Sequence, residues 1–184
     1  MSALSYKTIT KSTNPRTDTG GYKNVVLFAP RSIFLSLSVP PDPGPLLGDG
    51  VTITGAHTFT DPDGFVSWDC KTHTVTGKPA TTGDEGAQEI EYTYEFTVIG
   101  DSASTQEQMQ RILNDDIIWL LKGANCLADD SYIQLGNECI SPINKVDGDF
   151  KTTKEGLKEW KVTIVTKARY FYTGLITMST AVEP

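Results

Sequence analysis

The stretch that most limits the fold is EIEYTYEFTVIG, residues 89–100. Ile90, Tyr92, Tyr94, Phe96 and Val98 alternate with Glu91, Thr93, Glu95 and Thr97. An extended chain therefore sets aromatics on one side and charge on the other. A helix would scatter the same residues around its circumference. The aromatic face needs a second apolar layer, so the minimal architecture is a sheet packed on another element.

Other segments read as strands by the same rule. NVVLFAP (24–30) and SIFLSLSV (32–39) are short, and VTITGAHTF (51–59) is interrupted at Gly55. FVSWDCKTHTV (65–75), SYIQLG (131–136) and LITMSTAV (175–182) follow. EWKVTIVTKARYFYTG (159–174) reads as one long closing strand, with Trp160, Val162 and Ile164 opposite Lys161 and Thr163. It runs into Tyr170, Phe171 and Tyr172. Consecutive strand residues cannot all point inward, so at least one of these aromatics faces outward, as a rim residue or an interface anchor.

PPDPGPLLGDG (40–50) is predicted to be a loop, because its prolines lack ladder donors. DPDG (61–64) is a turn, TGKPATTGDEGAQ (76–88) a loop or mobile hairpin tip, and 137–156 irregular. One helix is predicted, over 105–122. Ser104 and Glu107 have capping-box spacing, and Met109, Ile112, Leu113, Ile117, Leu120 and Leu121 form a stripe that ends at Lys122-Gly123. The expected fold is mainly β, an antiparallel sandwich or barrel with one flanking helix. It forms a single domain over 21–184, preceded by a flexible or assembly-ordered arm at 1–20.

The chain has 184 residues, enough to bury a core without staples. No apolar run approaches the ~18 residues of a membrane span. The opening MSALSYKTITKST lacks the apolar heart of a signal peptide, so a soluble protein made in the cytoplasm is expected. Cys70, Cys126 and Cys139 are odd in number and widely spaced, unlike a disulfide framework. Net charge is −7 and unevenly spread: residues 1–45 carry +3 and the remainder −10. An acidic body disfavours tight binding to phosphate backbones. The basic leading segment suits either a solvated tail or a head-to-tail contact between copies.

Patterns for catalysis are sparse. His57 and His73 are the only histidines, both inside predicted strands, and no G-x-S-x-G context accompanies them. Cys70 and His73 stand three apart, which on a strand points them to opposite faces and away from one metal ion. DPDG and DGD (147–149) match only fragments of a calcium loop. Phosphate-binding glycine motifs are missing, and the Asp115-Asp116 and Asp129-Asp130 pairs read as solvent-facing. No catalytic residue, cofactor or metal is therefore expected.

With these elements in order, residues 21–184 resemble tail tube proteins of long-tailed bacteriophages and their relatives in contractile tails and secretion tubes. The resemblance is carried by the β-sandwich, the flanking helix STQEQMQRILNDDIIWLLKG, the long inter-strand loop TGKPATTGDEGAQ and the closing GLKEWKVTIVTKARYFYTG. The closing segment is similar to one in virion proteins of Bacteroidetes phages. The resemblance implies a virion structural protein, assembled in the host cytoplasm. Its partners would be copies of itself in stacked hexameric rings, and other tail or connector proteins. DNA would pass through transiently, repelled by an acidic lumen. It also implies that the arm and the 76–88 loop, with Lys78, Asp84 and Glu85, join rings, while Tyr170, Phe171 and Tyr172 contact neighbours. Tube proteins commonly stack through an extended hairpin, which the sequence does not announce. A tail terminator or connector has the same signature. The alternative is a monomeric carbohydrate-binding or adhesin-like sandwich, with the aromatics as a sugar platform.

Overall fold

A computed structural model describes residues 21–42, 48–123, 132–150 and 158–180. The 1–20 arm, the loop at 124–131 and Cys126 lie outside the described residues. The fold is mainly strands with a single helix among the described residues, as the sequence predicts.

The strands are β1 (Tyr22–Pro30), β2 (Phe34–Ser36), β3 (Thr52–Ile53), β4 (Thr58–Phe59), β5 (Val66–Asp69), β6 (Thr76–Thr82), β7 (Glu89–Ile99), β8 (Ile117–Gly123), β9 (Tyr132–Leu135), β10 (Ile143–Asp149), β11 (Glu159–Thr166) and β12 (Arg169–Tyr172), with helix α1 (Ala103–Asn114) between β7 and β8. Six strands form one sheet in the order β3-β12-β9-β8-β1-β5, antiparallel except for the β12–β3 pair. Four form a second, β10-β11-β7-β6, and β2 pairs with β4.

The main core lies between the two larger sheets. It joins Val26, Phe28, Trp119, Leu121, Ile133 and Leu135 of the six-stranded sheet to Tyr94, Phe96, Val162 and Ile164 of the four-stranded one. Met109 and Ile112 of α1 enter the same cluster. On the other face of the six-stranded sheet, Leu27, Ala29, Ile53, Leu120 and Tyr172 pack with Phe65, under Phe34 and Phe59 of the β2–β4 pair. The result is a sandwich-like body with a thin third layer.

That layering explains the largest departure from the sequence reading. The helix does not run over 105–122: it ends at Asn114, and Ile117–Gly123 is the strand β8. Its apolar run IIWLL is buried on both faces, the odd residues facing one core and Leu120 the other. A doubly buried strand reads as continuous apolar sequence and mimics a helical stripe. Asn114, Asp115 and Asp116, all weak helix formers, mark the stop. The cap is also displaced. Ser102 is the N-cap and accepts from the Thr105 N–H at 3.1 Å, while Glu107 pairs with Arg111 one turn on.

Part of 76–88, read as a loop or mobile hairpin tip, and part of 137–156, read as irregular, are strands. Residues 76–82 form β6, antiparallel to β7 from Thr76 opposite Glu95 to Thr82 opposite Glu89. Residues 143–149 form β10 along the edge of β11. Gly77 is required where it stands, since a Cβ there would lie 2.4 Å from Cε1 of Tyr94.

The closing stretch is not one strand. β11 belongs to the four-stranded sheet and β12 to the six-stranded sheet. At the break, Thr166 Oγ1 accepts the Ala168 N–H at 3.0 Å, and Ala168 O accepts the Gly136 N–H at 2.9 Å. That local side-chain bond turns the chain out of one ladder and into the other. The other long strand predictions shorten likewise. SIFLSLSV keeps only Phe34–Ser36, and 51–59 splits into β3 and β4. FVSWDCKTHTV keeps Val66–Asp69, which leaves His73 in a turn at φ 62°. Of 175–182, the described part contributes a lone bridge from Met178 to Phe65.

Candidate assembly surface

The residues singled out in the sequence fall into two groups. Lys78 lies on β6 and Asp84 and Glu85 at the tip of the β6–β7 hairpin, all exposed. Every residue of β6 but Thr82 is exposed, so this strand is braced by β7 alone. The second group is β12, whose three aromatics alternate as a strand requires. Phe171 is 40% exposed and Tyr172 0%. Tyr170 is half-buried, its hydroxyl accepting from Asn137 Nδ2 at 2.7 Å. Tyr172 is thus a core residue with no surface to offer a neighbour. This corrects its assignment as a contact residue and leaves Phe171, with the rim of Tyr170.

Arg169 ties β12 to β7, and the sequence did not single it out. Its guanidinium lies 4.8 Å from the Phe171 ring centre and 5.4 Å from that of Tyr92 on β7. Its Nε donates to the Tyr94 hydroxyl at 2.8 Å. Burial, more than any neighbour, raises the pKa of Tyr94. The available signal was a single arginine beginning an aromatic strand.

The outer face of the four-stranded sheet is charged. Register places Glu89, Glu91 and Glu95 of β7, Lys161 of β11, Lys145, Asp147 and Asp149 of β10, and Lys78 of β6 on one side, and Lys167, just past β11, reaches Glu89 there. Lys161 pairs with Glu95 at 2.8 Å, and Lys167 pairs with Glu89. These are exposed pairs, worth about 0–1 kcal/mol each.

Two of the titratable groups that the sequence offered for chemistry, His57 and Cys70, are buried. His57 is 2% exposed. Its Nδ1 accepts the Ser38 N–H at 3.0 Å, which puts the proton on Nε2, 2.8 Å from Gln134 Oε1. Burial lowers its pKa, which keeps it neutral. Cys70 is buried and its thiol pushed up to about 12 by burial and then by the Asp69 carboxylate. Cys70 is buried, while His73 is exposed. Among the described residues, no three His, Cys, Asp or Glu side chains come close enough to share a metal ion.

One open cleft of about 420 Å3 separates α1 from β1 and β5. Phe28, Trp68, Val66, Ile112 and Ile117 line it, with Gln108, Glu107 and Arg111 at its rim. The polar rim is already committed: Trp68 Nε1 donates to Gln108 Oε1 at 2.8 Å, and Arg111 is paired to Glu107. The surface so defined is that of a sandwich-like β domain with a projecting hairpin and a charged sheet face. No protein-family model, curated protein or solved structure matches the chain.

Proposed function

We propose that this protein is a structural subunit that works by joining copies of itself, in the manner of a phage tail tube, and that it has no reactive centre. The observation that carries the reading is the β6–β7 hairpin. Its outer strand has almost no contact with the core and ends in the acidic turn Gly83-Asp84-Glu85-Gly86. Beyond the Thr166–Tyr92 pair, where the pairing of β11 with β7 ends, the hairpin runs on as a two-stranded ribbon, which is marginal by itself in water. An exposed one persists most readily where a neighbour covers it. The hairpin also supplies the stacking element that the sequence did not announce.

The charged outer face of the four-stranded sheet supports a place along a conduit. Glu89, Glu91, Glu95, Asp147 and Asp149 outnumber Lys78, Lys145, Lys161 and Lys167 by one, so the face holds a phosphate backbone off only weakly and gives it no basic track to bind. Hexameric rings, other tail or connector proteins as partners, DNA as transient cargo and a place in a virion belong to this reading. Of the aromatics that the carbohydrate-binding alternative would use, Tyr94, Phe96 and Tyr172 lie in the core, while Tyr92, Trp160 and Tyr170 are half-buried and Phe171 is exposed.

Light scattering of size-separated protein, over a range of concentrations, tests the hairpin's part. Wild-type protein is expected to assemble as concentration rises. Asp84→Lys with Glu85→Lys is expected to shift it towards monomer with an unchanged circular dichroism spectrum. Assembly identical in both proteins would remove the hairpin from the contact.

A further inference from the structure

We infer that β10 pairs with β10 of a second copy, antiparallel about a two-fold axis through Val146. The inference rests on the self-association reading above and names a contact which that reading leaves open. β10 is the outermost strand of the four-stranded sheet, in register with β11 along its whole length. Its other side therefore presents a row of backbone donors and acceptors with no described strand beside it. The opposite edge, β6, carries Lys78 and Pro79, which blunt an edge against pairing. β10, INKVDGD, has no proline.

Charge specifies the occupant. Lys145 and Asp147 stand symmetrically on either side of Val146. A second β10 laid antiparallel, with Val146 against Val146, sets Lys145 of one copy opposite Asp147 of the other, twice. Directly opposite residues project from the same face and interact. Here that is the outer face: Ile143, Lys145 and Asp147 are exposed and alternate with half-buried Asn144 and Val146. Asn144 locks this phase, accepting from Trp119 Nε1 at 3.0 Å and donating to Ile112 O at 2.9 Å. A register centred on Lys145 would oppose two lysines, and one centred on Asp147 would oppose two aspartates at its centre beside two Lys145–Asp149 pairs, so the Val146 register has opposite charges in contact without a like pair at its centre.

Both groups keep their capacity for such a bond. Within the chain, Lys145 lies opposite Thr163. Asp147 lies opposite Lys161, which is bonded to Glu95. The pair would form one continuous sheet from two four-stranded halves, with both charged faces on the same side. A two-fold contact closes on a pair, so growth beyond a pair needs a second, heterologous contact.

Sedimentation velocity over a concentration series tests this with three proteins: wild type, Lys145→Asp, and the double exchange Lys145→Asp with Asp147→Lys. The single substitution sets Asp against Asp twice. It is expected to raise the dissociation constant of the pair by about ten-fold or more, given the penalty for opposed like charges. The exchange rebuilds the same pairing with signs reversed and is expected to restore it. Raising salt is expected to weaken the wild-type pair. Association indifferent to Lys145→Asp, or lost and not restored by the exchange, overturns the β10 contact while leaving self-association standing. Wild-type protein that stays monomeric at every concentration overturns both.

Discussion

The imidazole of His57 lies against the phenol ring of Tyr172, with centroids 4.5 Å apart and planes 18° from parallel. The Tyr172 hydroxyl accepts the His57 N–H at 3.2 Å and donates to Leu175 O at 2.8 Å. This stack ties the chain before β4 to the end of β12 and fills the smaller core. Two side chains that sequence alone offers for function, a histidine and an aromatic of the triplet, thus serve the fold.

Stability is expected to depend on pH through His57. Burial holds its folded pKa below the ordinary value of about 6.5, so the unfolded chain binds the proton more readily. The contribution is fully present above about pH 6.5 and is lost as pH falls from there towards the depressed folded value. A second proton on the ring would also break the bond from the Ser38 N–H. Urea midpoints between pH 5 and 8 check this, and His57→Gln is expected to flatten the dependence in that window.

Tyr172 and Phe171 are expected to separate cleanly. Tyr172→Ala removes a fully buried ring and is expected to cost about 3–5 kcal/mol. Phe171→Ala, at a 40% exposed position, is expected to cost about 1 kcal/mol or less and to act on association instead. Chemical denaturation of both variants decides it. Equal losses would contradict the alternation assigned to β12.

The helix start gives a matched pair of variants. Ser102→Ala removes the acceptor of the Thr105 N–H and is expected to cost about 0.5–2 kcal/mol. Ser104→Ala, two residues later and exposed, is expected to stay within about 0.5 kcal/mol of wild type. Thermal unfolding followed by circular dichroism distinguishes them, and the reverse order would restore the cap predicted from sequence.

Gly77→Ala is expected to cost about 1–3 kcal/mol, since its methyl must displace the ring of Tyr94. Because Tyr94 holds Arg169, the same variant is expected to disturb the base of the hairpin. Hydrogen exchange along β6 and β12 reads that second effect. Protection unchanged in both strands would show that the ring is not the link.

β7 was legible because its two faces differ in polarity, and period two survives in the sequence. β8 was not, because both of its faces are dry and Ile117, Leu120 and Leu121 also satisfy a helical spacing. β6 and β10 hide for another reason. Their stability comes from the neighbouring strand, so TGKPATT and INKVDGD carry turn-forming residues and little strand preference. The change of sheet at Thr166–Ala168 rests on a side-chain bond to the backbone, which no periodicity records. Of the candidate assembly surface, the charged Lys78, Asp84 and Glu85 are visible in the sequence, and the structure leaves them exposed. The part played by Arg169 is not visible there, since its place depends on β12 meeting β7 across two sheets.

Negative-stain electron microscopy of the purified full-length protein, from dilute to concentrated solution and at low and high salt, tests self-assembly most directly. Rings or stacked tubes that accumulate with concentration are the expected result, and they are expected to be lost when Asp84 and Glu85 become lysines. Single particles the size of one copy, under every condition, would contradict it.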